Sequence, residues 1–79
     1  MKNQNQKQPE IAIAPVKSSS LAGAGFDEKT GTMAVLFRNG RKYHYPNVTR
    51  KDFDELMNAK SAGKHFNQVI RGKFESVAV

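Results

Sequence analysis

The sequence predicts an α+β domain, a three-stranded antiparallel sheet followed by two short helices packed on one of its faces, in the order β-β-β-α-α. Three observations predict it. The first half carries short apolar runs separated by turn chemistry at 27–31 and at Asn39-Gly40. The second half instead repeats apolar residues at i, i+3, i+4, the helical period. Pro46, which has no amide to donate to a ladder, divides the two regimes.

Along the chain, residues 1–8 form a polar, low-complexity run with nothing to bury against the entropy of ordering, and disorder is expected there. Residues 11–16 alternate apolar with small side chains and include Pro15, which reads as an extended arm or an edge strand. The expected organisation is a flexible tail over 1–15 and one domain over 16–79. A first strand is expected over 20–26, anchored by Leu21 and Phe26, although its glycines weaken strand propensity. After the turn ending at Gly31, the run Thr32-Met33-Ala34-Val35-Leu36-Phe37 is the clearest strand, and Lys42 to Tyr45 closes a hairpin with it.

Two registers are open to that hairpin. A two-residue Asn39-Gly40 turn would oppose Arg38 to Arg41 and set Tyr43 against Leu36. A three-residue loop with Gly40 left-handed would set Phe37 against Arg41, Val35 against Tyr43 and Met33 against Tyr45. The second is preferred, because it gathers Met33, Val35, Phe37 and both tyrosines on one face and separates two like charges.

Thr49 then reads as an N-cap whose side chain accepts from the Asp52 amide, opening a helix over 50–59 with Phe53, Leu56 and Met57 as its apolar stripe. A second helix starts at Ser61, carries Phe66, Val69, Ile70 and Phe74 inward, and stops at Gly72. This arrangement is expected to bury every large apolar residue.

Composition limits function. A chain of 79 residues has too small a core to give up much of it to a preorganised catalytic cavity, which favours binding over catalysis. Thirteen Lys and Arg against seven Asp and Glu give a net charge of +6, which suits phosphates, acidic proteins or anionic surfaces. The absence of cysteine excludes disulfides and thiolate metal sites. No signal-peptide pattern or spanning apolar run is visible, so a cytoplasmic protein without a membrane partner is expected.

Taken in order, Val16-Lys17-Ser18-Ser19, Gly25-Phe26-Asp27, Met33 to Phe37, Gly40, Tyr43-His44-Tyr45, Val48, Phe53, Leu56, Ala59, Ser61, Gly63, Phe66-Asn67 and Ile70 resemble the KTSC domain. That small module is named for its place at the C-terminus of some lysyl-tRNA synthetases and also occurs alone in bacteria and phages. The resemblance covers residues 16–74. It implies a module of the same fold and, through the synthetase association, suggests RNA binding. Phe26, His65 and Phe74 stand where the family tends to have tyrosine, and Thr49 replaces a common proline.

The candidate contact residues are Arg38, Arg41, Lys42, Tyr43, Tyr45, Lys64, His65, Arg71 and Lys73. Tyr43 and Tyr45 beside Arg41 and Lys42 could stack bases while cations meet phosphates, but tyrosines at period two are more often core residues with a hydroxyl at the rim. Lys64 and His65 follow a helix start able to offer amides to an anion, whereas the plainer reading has Ser61 capping, Gly63 allowing an interhelical turn and Asn67 bonding backbone near the sheet. Arg38, Arg71 and Lys73 complete one basic face if they cluster. His44 projects to the opposite face, and no convergent donors suggest a metal or cofactor. Ser18-Ser19-Ser20 has no activating base, and Asp52, Asp54 and Glu55 line an exposed helix face, so no reaction class emerges and no enzyme is expected. The leading expectation is a non-enzymatic module for RNA or single-stranded nucleic acid, acting as a monomer or weak homodimer. The alternative is a protein-interaction or phage accessory module docking an acidic protein or a second copy.

Overall fold

A computed structural model describes residues 11–79 and shows a five-stranded antiparallel sheet in the spatial order β1-β2-β3-β4-β5 with two helices on one face. The strands are β1 (Ala14–Pro15), β2 (Leu21–Asp27), β3 (Thr32–Phe37), β4 (Lys42–Tyr45) and β5 (Val77–Ala78). The three expected strands form its centre. Two-residue strands add an edge on either side, so the order is β-β-β-β-α-α-β rather than β-β-β-α-α. The expected disorder at 1–8 lies outside the described residues. Of the tail assigned to 1–15, residues 11–15 lie against the sheet, with Ala14 opposite Ala24 and Pro15 opposite Gly23.

The central register follows from one loop. Gly40 has φ 92°, its amide donates to the Phe37 carbonyl at 3.0 Å, and the Phe37 amide donates to the Arg41 carbonyl at 2.8 Å. This is the three-residue connection with a left-handed glycine, a conformation that a side chain would strain. Met33 consequently faces Tyr45 and Val35 faces Tyr43, as the preferred register requires. Alternation, with a register shift between Leu21 and Gly23 in β2, then places Leu21, Ala24, Met33, Val35 and Tyr45 on the helix face with Val48, Leu56, Ala62, Phe66 and Ile70.

Helix α1 (Arg50–Asn58) starts at a capping box. Thr49 Oγ1 accepts from the Asp52 amide at 3.1 Å, and the Asp52 carboxylate accepts from the Thr49 amide at 3.1 Å. That bond from the Thr49 amide holds the Asp52 carboxyl below its usual range. Phe53 stacks on Phe26 with centroids 5.6 Å apart, seating α1 at the β2–β3 end of the sheet. The second helix is a single rod, α2 (Ala62–His65), a π-helical turn (Phe66–Ile70) and α3 (Arg71–Lys73), capped by Ser61 accepting from the Lys64 amide at 3.3 Å.

Three expectations are corrected in this half. The π-helical turn, closed by the Arg71 amide on the Phe66 carbonyl, shifts the helical phase, so Phe66 and Ile70 are buried while Val69 turns outward at 37% exposure. Together with Val77 and Val79, each 49% exposed, it shows that not every large apolar residue is buried. Gly72 does not end the helix, which runs through it to Lys73 and stops where Phe74 becomes extended. Gly63 sits inside α2, not in an interhelical turn, and a Cβ there would lie 2.8 Å from Ser18 Oγ.

The opposite face of the sheet is lined by Gly23, Gly25, Ala34, Leu36, Lys42 and His44. The arm before β1 crosses it. A Cβ on Gly23 would lie 2.5 Å from Ile13 Cγ2, and one on Gly25 would overlap the Ala12 carbonyl oxygen. His44 is buried here, and that burial, with Lys42 nearby, lowers its pKa below the usual 6.5.

Gly25→Val is expected to lose about 1–3 kcal/mol in urea denaturation, because the obstructing atom is backbone that cannot rotate away. Gly72→Ala, whose Cβ meets nothing within 4 Å, should gain up to about 1 kcal/mol in the same measurement. For His44 the unfolded chain binds more protons between the lowered folded value and 6.5, so stability should be full above 6.5 and fall as pH drops through that window. Melting temperatures followed from about pH 8 to about pH 5 should show this loss, and His44→Asn should reduce the slope.

Candidate nucleic-acid interface

Most of the acidic residues gather at one end of the sheet, interleaved there with Lys29, Arg50 and Lys51. Asp27, Glu28, Asp52, Asp54 and Glu55 lie on the β2–β3 turn and α1, which meet where the Val48 amide donates to the Gly31 carbonyl and Arg50 pairs with Glu28 and Asp54. Arg38 and Arg41 belong to the β3–β4 loop, at the other end of an antiparallel hairpin.

At that end, between the hairpin and the second helix, lies a cleft of about 380 Å³. Phe37, Arg41, Tyr43 and Tyr45 line it from the sheet, Phe66, Asn67 and Arg71 from the helix, with Asn39, Phe74 and Ser76 at its margins. Its floor is a set of edge-to-face rings: Phe66 meets Phe37 at 5.3 Å and Tyr45 at 5.7 Å, and Phe37 meets Tyr43 at 5.7 Å. Tyr45 and Phe66 are closed into the core, whereas Phe37, Tyr43 and Phe74 are half-buried. Burial pushes the Tyr45 phenol above its usual range, opposed in part by Ser76 and the Arg71 cation. The chemistry on offer is aromatic surface flanked by two guanidinium groups, which suits a planar anionic ligand.

The nine sequence-derived candidates therefore separate. Arg41, Tyr43, Tyr45 and Arg71 share the cleft. Arg38 is bound into the fold, its Nε donating to the Ser18 carbonyl at 2.6 Å and its amide to the Ser20 carbonyl at 3.0 Å. Lys42 points to the arm face, beside a second hollow of about 560 Å³ lined also by Ile13, Leu36 and Val79. Lys64 is exposed in the first turn of α2, outside the cleft. His65 is half-buried, with Nε2 enclosed and unpartnered among the described residues. Lys73 reaches Asp52 at 3.8 Å and lies 5.4 Å from the Phe74 ring centroid. The single basic face expected from Arg38, Arg41, Lys42, Lys64, Arg71 and Lys73 is thus divided among several surfaces.

The preferred register set Phe37 on the tyrosine face, whereas sequence reasoning missed Asn39, Phe66, Asn67, Phe74 and Ser76 as neighbours of those residues. Nothing local signals Ser76. Asn67 is exposed at the cleft, and no hydrogen bond ties its side chain to backbone among the described residues. The serine run serves the backbone, Ser18 Oγ accepting from the amides of Ser20 and Leu21, each at 3.1 Å. Among the described residues no three His, Asp or Glu side chains gather where a metal ion could sit, and no helix is long and apolar enough to cross a membrane.

Comparison with known proteins gives consistent matches. Residues 17–74 match the KTSC domain family. A protein of Tsukamurella paurometabola is 35% identical over 67 residues, covering 85% of this chain and all (100%) of that one. A lysine–tRNA ligase of Nostoc punctiforme is 40% identical over 50 residues, 63% of this chain but 9% of the ligase. The crystal structure of a KTSC domain protein from Yersinia pestis superposes with a TM-score of 0.84 at 30% identity, covering 89% of this chain and 99% of that one.

Truncating the floor and the rim should separate folding from surface chemistry. Phe66→Ala should cost about 3–5 kcal/mol in denaturant titration, comparable to the whole stability of a domain this size. Arg71→Ala, an exposed rim residue, should stay within about 0.5 kcal/mol of the parent.

Proposed function

Because the chain belongs to the KTSC domain family, we propose that it is a small, non-enzymatic binding module that holds RNA or single-stranded nucleic acid at the hairpin and second helix. The observation that carries this reading is the meeting of Arg41 from the hairpin and Arg71 from the helix at one aromatic-lined cleft. Cations that meet phosphates and rings that accept bases are the two parts of sequence-tolerant single-strand binding. A net charge of +6 supports the reading, and five of the seven acidic residues lie away from the hairpin tip, on the β2–β3 turn and α1. The likeness to part of a lysine–tRNA ligase agrees with an RNA-related setting.

Few cations line the cleft, so binding should be weak and salt-sensitive. Titrating short labelled RNA and DNA strands by fluorescence anisotropy should give detectable binding at about 50 mM salt and a marked loss by about 200 mM, with a log–log slope of roughly −1.5 to −3. Absence of binding to every strand of a mixed panel at low salt would overturn the reading. So would a partner protein that is recovered from lysate undiminished after nuclease treatment while no nucleic acid binds.

A further inference from the structure

We infer that the cleft seats one unpaired nucleotide, its base against Tyr43 and Phe74 and its phosphate between Arg41 and Arg71, so that the module selects unpaired strands over duplex. This rests on the nucleic-acid reading and specifies its geometry.

Size is the first ground. About 380 Å³ falls near the lower end of the roughly 300–1,000 Å³ typical of small-molecule sites, room for one planar group with its phosphate. The second ground is which rings remain available. Tyr45 and Phe66 are closed into the core and form a floor, while Tyr43 and Phe74 are half-buried and keep surface toward the opening. A base in a duplex already has both faces stacked and offers such a concavity only its backbone, whereas an unpaired base can turn in.

The third ground is charge. No carboxylate lines the cleft among the described residues, and its two charged groups are both guanidinium, which binds phosphate oxygens in a fixed fork. They come from different elements, so a phosphate between them would be held from two sides. Neutral polar groups complete the lining. Asn39 Oδ1 accepts from the Arg41 amide at 2.9 Å, which leaves the side-chain NH₂ to donate, and Asn67 is exposed. Hydrogen-bonding capacity without further charge suits a base edge.

The test compares one labelled RNA strand with the same strand annealed to its complement, both titrated with the full chain at matched salt. The single strand should bind about tenfold tighter, the scale of one stacking contact. Arg41→Glu and Arg71→Glu, both at exposed positions, should abolish the preference, whereas Lys51→Glu on α1 should leave it intact. Phe74→Leu, which keeps apolar volume but loses the ring, should lower single-strand affinity by about tenfold with an unchanged far-ultraviolet spectrum. In amide NMR spectra, nucleoside 5′-monophosphates should shift resonances of residues 39–43 and 66–74, and inorganic phosphate should leave the Tyr43 and Phe74 signals in place. Equal affinity for strand and duplex, or monophosphate shifts confined elsewhere, would overturn the seat while the broader binding reading stands. Failure of both strand and duplex to bind overturns the two together.

Discussion

With Gly40 at φ 92°, the loop after β3 holds three residues, Phe37 closes on Arg41, and every following side chain of β4 takes its face from that closure. A shift of one residue would send Tyr43 and Tyr45 to the arm face and bring His44 into the core. The second helix depends on the same choice, since Phe66 packs edge-to-face on Phe37 and Tyr45. Without those rings on one face, the helix would lose its seat and the cleft its floor. A backbone conformation at one exposed residue thus reaches the centre of the core through an unbroken series of contacts.

The sheet uses its two faces differently. One carries large side chains and the helices, in the usual manner of a small α+β core. The other is flat because β2 contributes Gly23 and Gly25 and β3 contributes Ala34, and backbone of the arm lies directly on it. The Ser18–Ser20 loop is held between Arg38 and the Gly63 position of α2, which connects the hairpin, the start of β2 and the second helix. Arg38, one of the candidate contact residues, and Ser18 are both engaged in backbone contacts there.

How much of this could be read from sequence depended on whether the cause was local. β3, β4, their register and both helix starts follow from turn chemistry, alternation and capping within a few residues, and each was legible. β5 was not, because two residues cannot display a period and its pairing is decided by β4, whereas β1 falls within residues 11–16, which alternation and Pro15 marked as an extended arm or edge strand. Val69 was misplaced because one π-helical turn changes the phase, and no residue type announces such a turn. The role of Gly63 depends on a serine more than 40 residues away in the chain. The cleft was partly legible: Arg41, Tyr43, Tyr45 and Arg71 were all candidates from their residue types, while Asn39, Phe66, Asn67, Phe74 and Ser76 join them only through the fold.

The sheet ends on either side in a strand of two residues, Ala14–Pro15 and Val77–Ala78, and Pro15 has no amide hydrogen to donate. A foreign strand needs a run of free donors and acceptors to extend a ladder, and edges this short, one of them holding a proline, present few. The brevity of the outer strands thus guards the sheet against edge-to-edge aggregation.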